Sequence, residues 1–115
     1  MNAAKKILFA TDYSDSAASA LTYAASLARD MGATLLVVHV SQLEEYPVGE
    51  LFDEEPRPSD AELAELNAIR PPDASIPCEH RLLHGDPAEA IVKLADGECV
   101  NTIIIGTHDR SRLLR

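Results

Sequence analysis

Asp12, Ser14 and His39 unite a carboxylate, a hydroxyl and an imidazole, the set that activates a nucleophile in acyl-transfer hydrolases. That chemistry needs a strand-to-helix elbow of the GxSxG type around the serine, and Ser14 stands instead in TDYSDS. A Ser just ahead of an apolar-periodic run is a helix N-cap, and a strand-end His is accounted for by a hydrogen bond to backbone. Asp12 alone, after a first apolar run, could accept a phosphoryl group. Such an acceptor needs companion carboxylates around Mg²⁺ and a lysine late in the chain, whereas Lys93 is the last lysine. Cys78, His80 and His84 could share one strand face, yet residues four apart on a strand are about 13 Å apart, too far for one ion. We read them as edge-strand residues, Cys99 as a core residue near a strand start, and expect no metal and no enzymatic activity.

The elements that position these residues follow from apolar patterning. Ile7–Ala10 is a short continuous apolar run, as in a strand buried on both faces. After it, Ala17, Ala20, Leu21, Ala24, Leu27, Ala28 and Met31 recur at helical spacing, with Ser14 as N-cap and Gly32 as the stop. Thr34–Val40 predicts a second buried strand. Prolines 47, 56 and 58 with Gly49 predict loop over 41–59, and residues 44–58 are expected to be mobile. A short helix is predicted over 60–69, then an edge strand over 78–84 that carries Glu79, His80 and Arg81. Asp86, Pro87 and Glu89 open a further helix, expected to end at Gly97. Thr102–Ile105 is the fourth strand, leading into Gly106, Thr107 and His108.

Strands alternating with helices imply an α/β fold with a doubly wound parallel sheet. If the fourth strand lies beside the first, away from the second, the order is 3-2-1-4 and the direction of winding reverses between strands one and four. Ligands of such sheets bind outside the carboxyl ends of the strands at that reversal. Asp12 and Gly106 would face each other there.

Composition narrows the partners. Apolar residues make up 46% of the chain and charged residues 25%, the balance of a folded domain, and we expect residues 1–115 to form one. The formal charge is −9, and residues 44–65 hold nine carboxylates against the single base Arg57. No basic stripe is available to replace counterions, which argues against nucleic acid and anionic membrane as partners. Two isolated cysteines and an N-terminus without a basic start and apolar core predict a cytoplasmic protein. No apolar run reaches the length of a bilayer span.

Four blocks, ILFATDYS at 7–14, LLVVHV at 35–40, HGDPAEAI at 84–91 and TIIIGTHDRS at 102–111, together resemble the universal stress protein family over essentially the whole chain. The resemblance implies an adenine nucleotide alpha-hydrolase-like fold and a non-enzymatic stress-response module that binds ATP or AMP at the switch point. By match, Asp12, Val40 and Gly106 would hold the nucleotide, with Ala10, Thr11 and Thr107 lining the crevice.

The family's phosphate loop reads Gly, two residues, Gly, nine residues, then Gly and Ser or Thr. Asp109 replaces the second glycine, and the chain stops before the distant pair. Glycine-rich backbone N–H groups hold phosphates, so this resemblance implies weak, impaired ATP binding. It also implies a fourth helix and fifth strand, which the sequence lacks. We expect strand four to be left as an apolar edge covered by association, as in a homodimer. The alternative is an interaction protein that has lost nucleotide binding and acts through oligomerisation.

Overall fold

A computed structural model describes residues 5–41 and 60–106. The predicted mobile segment 44–58, Thr107 and Asp109 lie outside these described residues. The elements run β1 (Lys6–Thr11), α1 (Asp15–Met31), β2 (Thr34–Ser41), α2 (Asp60–Asn67), β3 (Cys78–His84), α3 (Pro87–Glu98) and β4 (Thr102–Gly106). All three strand pairings are parallel, in the order β3-β2-β1-β4.

Both sheet faces are covered, which is why the two central strands carry no polar alternation. On one face Ile7, Phe9, Leu35 and Val37 pack against Ala17, Ala24, Ala25 and Ala28 of α1 and Leu66 of α2. On the other, Leu8, Ala10, Leu36, Val38 and Val40 pack against Ile91 and Ala95 of α3. Alanines on α1 let that helix lie close to the sheet.

Local chemistry sets the helix ends. The Ser14 hydroxyl accepts from Ala17 N–H, and Gly32 closes α1 in the left-handed region at φ 65°. Asp86 accepts from Glu89 N–H, with Pro87 in the first turn of α3. The stop of α3 departs from expectation. Gly97 is inside the helix, and Cys99 takes the left-handed position at φ 56°, its N–H turned to Ala95 and Asp96 carbonyls. Cys99 is also exposed rather than a core residue, because the terminating position holds it off the sheet.

The amino end of the sheet is fastened by charge. Glu98, in the last turn of α3, pairs with Lys6 of β1 and lies 3.6 Å from Arg81 of β3, which also reaches Glu79 at 3.2 Å. Glu98 is held below its ordinary value first by the Lys6 hydrogen bond and then by the Lys6 charge. Among the described residues no helix is long and apolar enough to cross a membrane.

Candidate ligand site at the switch point

Strand register fixes where the described candidate residues lie. Thr11 pairs with Gly106 across β1 and β4, so Asp12, the next residue, and Gly106 stand at the same end of neighbouring strands. Ala10 pairs with Val38 and with Ile105, and Val40 ends β2 two residues beyond Val38. Ala10, Thr11, Asp12, Val40 and Gly106 therefore gather around one end of the sheet. Ala10 and Val40 are buried in the α3-side core, so their backbone is what they can offer. Asp12 is exposed.

The turn from β1 into α1 is internally bonded. Thr11 Oγ1 accepts from Tyr13 N at 2.9 Å, Asp12 Oδ1 accepts from Ser14 N at 3.0 Å, and Ser14 Oγ accepts from Ala17 N at 3.2 Å. Tyr13 adopts φ 67°, a left-handed conformation that side chains other than glycine rarely take. Its ring lies on the His39 imidazole, with centroids 4.4 Å apart and planes tilted 38°. His39 Nδ1 is 2.8 Å from the Thr11 carbonyl, so Nδ1–H donates to it and the ring is fixed. The imidazole thus serves the Thr11 backbone and the Tyr13 ring.

Acidic groups of α2 complete this corner. Ser41, buried at the end of β2, donates to Glu62 Oε2 at 2.6 Å and so ties α2 to the sheet. Burial first, then the Glu65 and Glu62 carboxylates, push the Tyr13 phenol up to about 12. Its hydroxyl is buried without a hydrogen-bond partner among the described residues. None of Tyr13, Ser41, Glu62 and Glu65 was a sequence candidate. Tyr13 follows Asp12 directly, yet nothing in the sequence marks its backbone conformation. The short α2 gives no sign of which edge it will meet.

Gly106 has a steric reason to be glycine. A Cβ there would lie 2.6 Å from Ala17 Cα and 3.0 Å from both Ala17 Cβ and Ala20 Cβ. Helix α1 fills the space, so the residue is demanded by packing whatever else it does.

On the far strand, Cys78 Sγ and His80 Nε2 are 3.9 Å apart, but that nitrogen is 2.8 Å from the Ile69 carbonyl. Burial raises the Cys78 thiol above its ordinary value. His84 is exposed at the strand end. Among the described residues no three His, Cys, Asp or Glu side chains are grouped to hold a metal ion.

A four-stranded parallel sheet with helices on both faces and order 3-2-1-4 is a doubly wound α/β fold, with its switch point between β1 and β4. The chain belongs to the universal stress protein family, whose sequence profile it matches over residues 3–115. A curated relative, the "universal stress protein in QAH/OAS sulfhydrylase 3'region" of Thermus aquaticus, is 41% identical over 105 residues, covering 90% of this chain and 77% of the relative. Universal stress protein UspA from Lactobacillus plantarum superposes with a TM-score of 0.63 at 23% identity, covering 94% of this chain and 83% of that one. A universal stress protein solved in complex with cAMP gives a TM-score of 0.60 at 22% identity, covering 98% and 86%. Likenesses at these identities speak to the fold.

Proposed function

We propose that this protein is a cytoplasmic, non-enzymatic stress-response module whose crevice at the ends of β1, β2 and β4 takes an adenine-bearing ligand weakly. The observation that carries the reading is the reversal of winding between β1 and β4, which brings Thr11, Asp12 and Gly106 together beside the end of β2. Family membership and the cAMP complex of a structural neighbour support adenine as the base. Ala10, Thr11 and Val40 supply the wall, Asp12 an exposed acceptor, and Thr107 continues the chain from Gly106. ATP and AMP are its expected ligands, without a metal. Extraction of the purified protein followed by mass spectrometry, with calorimetric titration of adenine compounds, tests the reading. Absence of both retained and added ligand at millimolar concentration overturns it.

A second reading, an interaction protein working through self-association, is favoured by one observation. On the α3 side of the sheet Ile103 and Ile105 of β4 are 40% and 55% exposed, and Val92 of α3 is 62% exposed. Val92 and Ile103 line a groove between α3 and β4. Sedimentation velocity at micromolar concentration separates the readings. A homodimer that Ile105→Lys dissociates supports association through this face, and a monomer at all concentrations refutes it.

A further inference from the structure

We infer that Tyr13 and His39 are positioning residues for the switch-point ligand, clamping the backbone on both sides of Asp12. The inference rests on the adenine reading above and adds the residues that set its geometry. Asp12 stands between Thr11, the last residue of β1, and Tyr13. One imidazole holds both neighbours. On the amino side of Asp12, His39 Nδ1–H donates to the Thr11 carbonyl at 2.8 Å, and on the carboxyl side the Tyr13 ring lies 4.4 Å from the same imidazole, centroid to centroid. His39 belongs to β2, so the neighbouring strand helps to decide where Asp12 is presented.

The turn carries a conformation that needs such a clamp. Tyr13 sits at φ 67°, where an L side chain crowds its own backbone and a glycine would be at ease. Its hydroxyl is buried with no hydrogen-bond partner among the described residues, so a tyrosine is disfavoured here twice, by backbone and by phenol. The ring contact with His39 is set against both. Residues other than glycine held left-handed against such opposition concentrate at ligand clamps, where the surroundings over-determine the geometry. Capping of α1 does not call for the aromatic pair. Ser14 caps the helix through Ala17 N–H, and the Thr11 and Asp12 side chains bond the N–H groups of positions 13 and 14, which any residue but proline supplies. Thr11 is also paired with Gly106, so the clamped turn begins at the switch point itself.

Calorimetric titration of the full 115-residue chain and its variants with AMP and with adenosine tests the clamp, with urea unfolding of each protein alongside. Tyr13→Gly takes up φ 67° without strain, so it keeps the fold while freeing the turn. Its affinity should fall by about three- to tenfold, because the turn must then be ordered on binding, while its urea midpoint stays near that of the parent. Tyr13→Phe keeps the ring and discards only the unpartnered hydroxyl, and should bind within about twofold of the parent. His39→Gln keeps an N–H for the Thr11 carbonyl but loses the ring, and should weaken binding by about as much as Tyr13→Gly. Both residues act on one turn, so the double variant should lose little more than either single variant, not the product of the two losses. Unchanged affinity in Tyr13→Gly and His39→Gln overturns the inference and leaves the adenine reading standing. Losses that multiply, or a Tyr13→Phe loss as large as that of Tyr13→Gly, also overturn it, since no shared ring contact would then be the cause. A parent that binds neither AMP nor adenosine removes the adenine reading and the inference with it.

Discussion

Gly106→Ala separates two reasons for a glycine at the end of β4. If Gly106 serves a phosphate loop, adding one methyl group should weaken ligand binding and leave stability unchanged. The packing predicts otherwise. The new Cβ would stand 2.6 Å from Ala17 Cα, where carbon atoms at rest are about 3.5–4.0 Å apart, so helix and strand must separate by about 1 Å. The closest atom belongs to the backbone, and no side-chain rotation relieves it. Trimming Ala17 to glycine removes only its Cβ, at 3.0 Å, and leaves the shorter contact in place. Overpacking of this kind costs about 1–3 kcal/mol, and a domain of this size has about 5–15 kcal/mol in total. With a urea m-value of about 1–1.5 kcal/mol/M, the midpoint should fall by about 0.7–3 M. Gly97→Ala is the matched control. Gly97 lies within α3, nothing approaches its Cβ position within 4 Å, and alanine there should stabilise by about 0.5–1 kcal/mol. Parallel urea titrations of the three proteins decide the matter. A Gly106→Ala midpoint equal to that of the parent would refute the packing argument and return the residue to the ligand.

With Tyr23→Phe and Tyr46→Phe in place, Tyr13 is the sole tyrosine, and its ultraviolet titration should have a midpoint near about 12; a midpoint at the ordinary 10.0 contradicts the α2 placement. Because the folded value lies above the unfolded one, the neutral phenol's contribution is whole below pH 10.0 and is lost as pH rises towards about 12, so alkaline unfolding should begin in that window. Glu98 behaves oppositely. Its value is lowered by Lys6, so its contribution is present above 4.5 and disappears as pH falls through the depressed value. Glu98→Gln should flatten the acid limb of a melting-temperature profile, and an unchanged limb would mean the Lys6–Glu98–Arg81 cluster does not fasten α3.

What was legible in the sequence is what is decided locally or by period. Ser14, Gly32, Asp86 and Pro87 set helix ends through their own side chains or backbone freedom, and each acts where its position predicts. The continuous apolar runs of β1 and β2 report burial on both faces, and the polar residues of β3 report an edge. His39 was readable for the same reason, as a strand-end ring bonded to backbone. Errors arose where a tertiary contact outvotes propensity. Gly97 looked like a stop, but α3 runs on until Glu98 meets Lys6 and Arg81, and Cys99 accepts the left-handed turn that results. The site was legible only as far as strand register extends. Its acidic corner depends on where α2 docks, and one hydrogen bond from Ser41 joins that helix to the end of β2 across 21 residues of sequence.

Gly106, Thr11 and Ala17 together show why packing and binding are hard to separate at this switch point. Thr11 is paired with Gly106 in the sheet, its side chain bonds the N–H of Tyr13, and its carbonyl fixes His39. Three residues later the Ser14 hydroxyl bonds the N–H of Ala17, whose Cα is the atom nearest to where a Gly106 Cβ would be. The start of α1 is therefore set by β1 from below and pressed against β4 from the side. A ligand that pulled the N–H of Tyr13 or Ser14 towards itself would release the turn that seats Ala17 on Gly106. Binding of that kind would cost part of the fold's own stabilisation. The same hydrogen bonds that cap the helix thus also hold Ala17 against Gly106.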